Sequence, residues 1–161
     1  MKNKKIISYI LTLVFFLLPT MSFDIYGGGE NITINQDTVL HGYFNSVTIN
    51  GSGTPENYIE VNATDSRMRS LKIEGSYVKV FGGEVYGSTS HGVQIYNSGN
   101  NVKNVYVENM FVHNNVTENG NSPQCNGTGS WGSGIKIQHG SENVVIKNNY
   151  VYENCGEGIA A

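Results

Sequence analysis

From Leu71 onward the chain repeats a short pattern, and that repeat narrows the possible folds more than any other feature. Leu71-Lys72-Ile73, Val93-Gln94-Ile95, Ile135-Lys136-Ile137 and Ile159-Ala160-Ala161 are one element met four times. Leu71 to Val93 is a step of 22 residues and Ile135 to Ile159 a step of 24. The middle step is longer because Asn115 to Ser130 is inserted. A second element follows in register at Val78-Lys79-Val80, Val105-Tyr106-Val107 and Val144-Val145-Ile146. A third follows at Val85, Val112 and Val151. Repeats of this length cannot bury their own inner face and are stabilised by stacking on copies of themselves.

Alternation gives an inward list: Leu71, Ile73, Val78, Val80, Val85, Val93, Ile95, Val105, Val107, Val112, Ile135, Ile137, Val144, Ile146, Val151 and Ile159. Composition agrees with short strands and tight turns. Gly numbers 20, Pro 3, and charged residues make up 14%. Gly and Asn form helices poorly but suit left-handed turn positions, and Val, Ile and Tyr between them suit strands. The predicted fold is all-β, a single-stranded right-handed parallel β-helix with three strands per coil and about 22–24 residues per coil. Gly82, Asn109 and Asn148 fall at equivalent turns, where buried amides are expected to form a ladder between coils.

The chain divides into 1–22, a signal peptide; 23–57, a leader with cap strands; and 58–161, the coils. Lys2, Lys4 and Lys5 precede an apolar run from Ile6 to Pro19, and Thr20 and Ser22 suit cleavage before Phe23. An uncleaved anchor is the alternative; no later run is long enough to span a bilayer. The last repeat stops within a strand, so the coils are expected to be incomplete at the C-terminus. The expected location is secreted, periplasmic or cell-surface. Net charge is −3, which argues against a nucleic-acid partner, and the expected state is a monomer. Cys125 and Cys155 precede equivalent strands of neighbouring coils, so a disulfide is permitted; two unpaired thiols are the alternative.

The grammar Gly134-Ile135-x-Ile137, Asn143-x-x-Ile146-x-Asn148-Asn149-x-Val151-x-x-Asn154, Gly158-Ile159 resembles the right-handed parallel β-helix repeat superfamily, which includes pectate-lyase-like folds and periplasmic copper-processing proteins. The resemblance covers about Tyr58 to Ala161 and implies a fold more firmly than a function. Similar proteins of known activity act mostly on acidic polysaccharides. In lyases that look like this, substrate lies outside the first-strand sheet, walled by loops such as the one inserted here. The resemblance therefore implies an extracellular polysaccharide as partner.

On that face the expected substrate-binding residues are Gln94, Tyr96, Trp131, Gln138, His91 and His139, with Lys72 beside them. Tyr96 and Trp131 suit the apolar C–H faces of sugars. Lys136 is the candidate catalytic residue, neutralising a uronate carboxylate or acting as base; a solvated lysine is the alternative. Calcium is the cofactor a lyase would call for, with Glu153 and Glu157, and Glu118 in the insertion, as its candidate ligands. The only Asp residues are Asp24, Asp37 and Asp65, and the only Arg residues Arg67 and Arg69, so neither an Asp cluster nor a close Asp pair accompanies Lys136. Two other classes stand beside the lyase: a non-catalytic surface adhesin binding glycan, and a copper-processing accessory protein, which needs His91, His113 and His139 to cluster.

Overall fold

Three left-handed residues recur in each repeat and set where its strands stop. A computed structural model of the protein describes residues 22–116 and 132–161. Tyr77, Asn104 and Asn143 have φ of 56°, 57° and 53°. Gly82, Asn109 and Asn148 follow at 74°, 57° and 55°, and Gly87, Asn114 and Glu153 at 72°, 50° and 51°. Gly and Asn tolerate this region; most other side chains pay on the order of 1 kcal/mol or more to occupy it. Placed at fixed intervals, these residues turn the chain at the same point in successive repeats.

Those strands are β1 (Phe23–Gly28), β2 (Asn31–Ile34), β3 (Thr38–Phe44), β4 (Ser46–Ile49) and β5 (Ile59–Met68). Then follow β6 (Leu71–Ile73), β7 (Val78–Phe81), β8 (Glu84–Tyr86), β9 (Val93–Ile95) and β10 (Lys103–Glu108). Last come β11 (Phe111–His113), β12 (Ile135–Ile137), β13 (Glu142–Lys147), β14 (Tyr150–Tyr152) and β15 (Ile159–Ala160). The described chain is all-β, without a helix, and each strand pairing in it is parallel.

Two sheets result. Sheet B runs β15-β12-β9-β6-β4-β2, and sheet A runs β13-β10-β7-β5-β8-β11-β14, with β3 and then β1 added beside β5. The long β5 makes sheet A curl: Ile59 to Asn62 pair with β7, whereas Arg67 and Met68 pair with β8. The segments expected as cap strands, β2 and β4, continue sheet B in the same register, with Val47 opposite Leu71 and Ile49 opposite Ile73.

The core consists of aliphatic columns. Val47, Leu71, Val93 and Ile135 are in register, as are Ile49, Ile73, Ile95 and Ile137. Val61, Val80, Val107 and Ile146 form another column, and Met68, Val85, Val112 and Val151 a further one. Eleven of the sixteen expected inward residues are buried. The exceptions lie at the last repeat, on β13, β14 and β15 and at Ile137, which the short β15 does not reach among the described residues. Ile137, Val144, Ile146 and Val151 are partly buried, and Ile159 is 49% exposed, a departure from its expected inward position.

Backbone contacts between neighbouring turns are equally close. A Cβ on Gly75 would run into the carbonyl oxygen of Gly51, the equivalent turn residue one repeat earlier, so that position requires glycine.

The expected amide ladder is real but sits elsewhere. Asn109 and Asn148 are exposed and serve the left-handed turn. The ladder forms after the third strand, at Ser88, Asn115 and Asn154. Asn115 is fully buried. Its Oδ1 accepts from the Ser88 N–H at 3.1 Å, and its Nδ2 donates to Asn154 Oδ1 at 2.8 Å. Asn154 Oδ1 also accepts the Asn115 N–H at 3.2 Å, and Asn154 Nδ2 donates to the Val112 carbonyl at 3.0 Å. Asn115 was expected to begin the insertion; it belongs instead to the repeating framework, and Val116 beside it is buried as well.

Ile95→Ala should lower unfolding free energy by about 2–5 kcal/mol, because Ile73 and Ile137 above and below cannot close the gap. Asn115→Leu should cost about 1–3 kcal/mol by leaving the Ser88 N–H unpaired in a buried site. Chemical denaturation of each variant checks both, and a loss under 0.5 kcal/mol in either would contradict the stacking described here.

Candidate functional site

The outward residues of sheet B form a column in which Lys72, Gln94 and Lys136 lie side by side in consecutive strands. Lys72 is paired with Glu74, Nζ to Oε1 at 2.6 Å, and its Nζ lies 5.8 Å from the Tyr96 ring centroid. Lys136 makes no ion pair with a carboxylate among the described residues. Lys136 is therefore the one cation of this column with no carboxylate partner among the described residues.

The turn before β9 brings His91 to this end of the column. The asparagine ladder fixes that turn: Asn115 holds the Ser88 N–H, and Ser88 Oγ donates to the His91 carbonyl at 2.7 Å. The Ser133 N–H then donates to His91 Nδ1 at 3.1 Å. A backbone N–H can only donate, so Nδ1 accepts and the neutral ring carries its proton on Nε2. Ser133 Oγ donates in turn to Glu157 Oε2 at 3.3 Å. Burial holds the His91 pKa below its ordinary value, the Lys136 charge lowers it further, and Glu157 partly opposes them.

Ser133 thus ties His91 to Glu157, and the Lys136 charge acts on the same ring. Gln94 sits beside Lys136, and Tyr96 beside Lys72. Gln138 is tied by its N–H to the Ile95 carbonyl at 3.1 Å, and His139 is exposed in the following turn. Trp131, Glu118 and Cys125 lie outside the described residues. Cys155 is buried and disulfide-bonded.

Glu153 and Glu157 have separate partners: Asn114 Nδ2 donates to Glu153 Oε2 at 3.1 Å, whereas Glu157 accepts from Ser133. Among the described residues, no group of three or more His, Cys, Asp or Glu side chains is arranged to hold a metal ion. His113 lies on the third strand of its repeat, paired with Glu84. Also among the described residues, no helix is long and apolar enough to cross a membrane.

A second polar cluster lies on sheet A. Arg67 Nε contacts Glu84 Oε2 at 2.8 Å, and His113 Nε2 contacts Glu84 Oε1 at 2.8 Å. The His113 ring is stacked between Tyr86 and Tyr152, with centroids at 5.8 and 4.7 Å and planes within 10°. Beside them Phe111 stacks on Tyr150 at 5.2 Å. The signal for this cluster was in the sequence. Glu84-Val85-Tyr86, Phe111-Val112-His113 and Tyr150-Val151-Tyr152 each flank an inward valine with two outward side chains.

His91 should titrate below its ordinary value of about 6.5. In NMR titrations, Lys136→Met should raise its midpoint and Glu157→Gln should lower it; the opposite order would contradict the electrostatics described here. An unfolded chain takes up this proton first as pH falls. His91 therefore contributes stability that is complete above about pH 6.5 and is lost as pH drops through the lower folded-state midpoint.

No protein-family model, no curated protein and no solved structure matches this chain.

Proposed function

We propose that the chain is a single-stranded right-handed parallel β-helix of the pectate-lyase-like type, exported by its N-terminal segment, that binds an extracellular acidic polysaccharide. The in-register parallel pairing of three successive strand types, repeat after repeat, supports the architecture. The observation that carries the ligand class is the sheet B column: Lys136, without an ion-pair partner among the described residues, stands next to Gln94 and close in charge to His91. A polyuronate laid along the stack would present carboxylates to Lys136. His91 Nε2–H and the Gln94 amide would supply donors to the sugar oxygens.

Binding is favoured over cleavage. Elimination requires a base for the C5 proton as well as neutralisation of the carboxylate. The Nδ1 of His91 is occupied by a backbone N–H and its other nitrogen carries the proton, which leaves Lys136 to serve both needs. Glu153 and Glu157, engaged apart, do not fit a calcium site, and no step is assigned to that ion. The copper reading fares worse, because His113 is committed to Glu84.

Affinity electrophoresis in polygalacturonate and in alginate tests this reading. Either polymer should retard the protein, less so as salt rises. Lys136→Ala should weaken retention about two- to fivefold, the worth of one partly exposed charge contact. Retention that is unchanged by Lys136→Ala, or absent with both polymers, overturns the proposal. The appearance of ultraviolet-absorbing unsaturated product would move the protein to the lyases.

A further inference from the structure

We infer that a groove on sheet A is a second saccharide site, separate from the Lys136 column, and that it takes a neutral hexose-based glycan. Its walls are aromatic. Tyr43 pairs with Arg67, Arg67 with Glu84, and Glu84 with Phe111, so the two rings stand three strand spacings apart. At about 4.8 Å per spacing, that is roughly 14 Å. Between them lies a groove of about 730 Å³, lined also by Gly82 and Gly83. Past Phe111 it continues into a hollow of about 400 Å³ beside Asn109, Asn148 and Tyr150.

One face of Phe111 is covered by Tyr150, stacked at 5.2 Å with planes 11° apart, and Phe111 also lines the groove. Phe111 is 48% exposed and Tyr43 36%, unusual for large apolar side chains held so firmly by their strands. Such faces suit the C–H side of a sugar ring.

The polar groups between the walls are prearranged. Both oxygens of Glu84 are engaged, one by Arg67 and the other by His113, so the carboxylate orients the guanidinium rather than meeting a ligand itself. Arg67 is held through Nε alone among the described residues, which leaves its terminal nitrogens as donors. Asp65, whose contact with His41 is long at 3.8 Å, supplies acceptors. Donors and acceptors facing each other between aromatic walls match vicinal hydroxyls. Two carboxylates against one guanidinium make the groove a poor host for a polyanion. The site therefore differs from the Lys136 column in ligand charge as well as position, and it stands whether or not that column binds uronates.

The test is affinity electrophoresis of the full chain in xyloglucan, mixed-linkage β-glucan and galactomannan, with polygalacturonate alongside. At least one neutral polymer should retard the protein. Phe111→Ala and Arg67→Gln should each weaken that retention about three- to tenfold, and Lys136→Ala should leave it unchanged. Phe111 is half exposed, so its variant should melt with the wild type. If it does not, Arg67→Gln and Asp65→Asn, both on solvent-facing groups, carry the test. Absence of retention in all three neutral polymers overturns the inference, as does equal retention of the wild type and folded groove variants. A neutral-polymer signal lost in Lys136→Ala alone would also overturn it.

Discussion

The structure depends on backbone curvature being the same at the same place in each repeat. Parallel strands two to ten residues long can pair in register over several repeats only if each approach and exit matches its neighbour. The left-handed residues supply that match. Asn104 lies over Tyr77 and Asn143 over Asn104; Gly82, Asn109 and Asn148 do the same at the next corner. The hydrophobic columns follow from this placement, because side chains can superpose only after the turns do. Tyr77 and Glu153 hold left-handed positions that their counterparts fill with Asn or Gly, and they show how strongly the stack imposes its path on less suited residues.

Much of the scaffold was legible because a period-two pattern repeated at a fixed interval leaves few alternatives. Val78, Val105 and Val144 are opposite one another, as their spacing implied. The site was legible only in part. Lys136 and Gln94 could be put on one face by alternation, but the tie from the Ser133 backbone to His91 joins residues 42 apart and leaves no pattern in the sequence. The ladder was misplaced for a related reason. Asn109 and Asn115 are the same residue type in adjacent turns, and only the backbone path tells which faces solvent and which faces inward. The outward partners of Val85, Val112 and Val151 follow from the same alternation that places the valines inward, but alternation alone does not tell that their rings stack.

The two outer surfaces have different chemistry. Among the described residues, sheet B presents Lys136 with neutral donors, and Tyr96 beside Lys72. Sheet A presents stacked rings around a guanidinium already neutralised by Glu84. A regular stack makes this division simple, since each outward column has its own composition while the inward ones remain apolar.

The interior columns carry little information about order. Val80 would pack over Ile146 nearly as well as over Val107, so a chain that skipped one rung during folding would lose little aliphatic burial. The polar ties do distinguish neighbours: Glu60 meets Lys79, Glu84 joins Arg67 to His113, and Asn115 fits between Ser88 and Asn154. Such contacts act as address labels, and their erosion by mutation would surface first as mis-threaded, aggregating product in the cell, before any softening of the correctly assembled molecule.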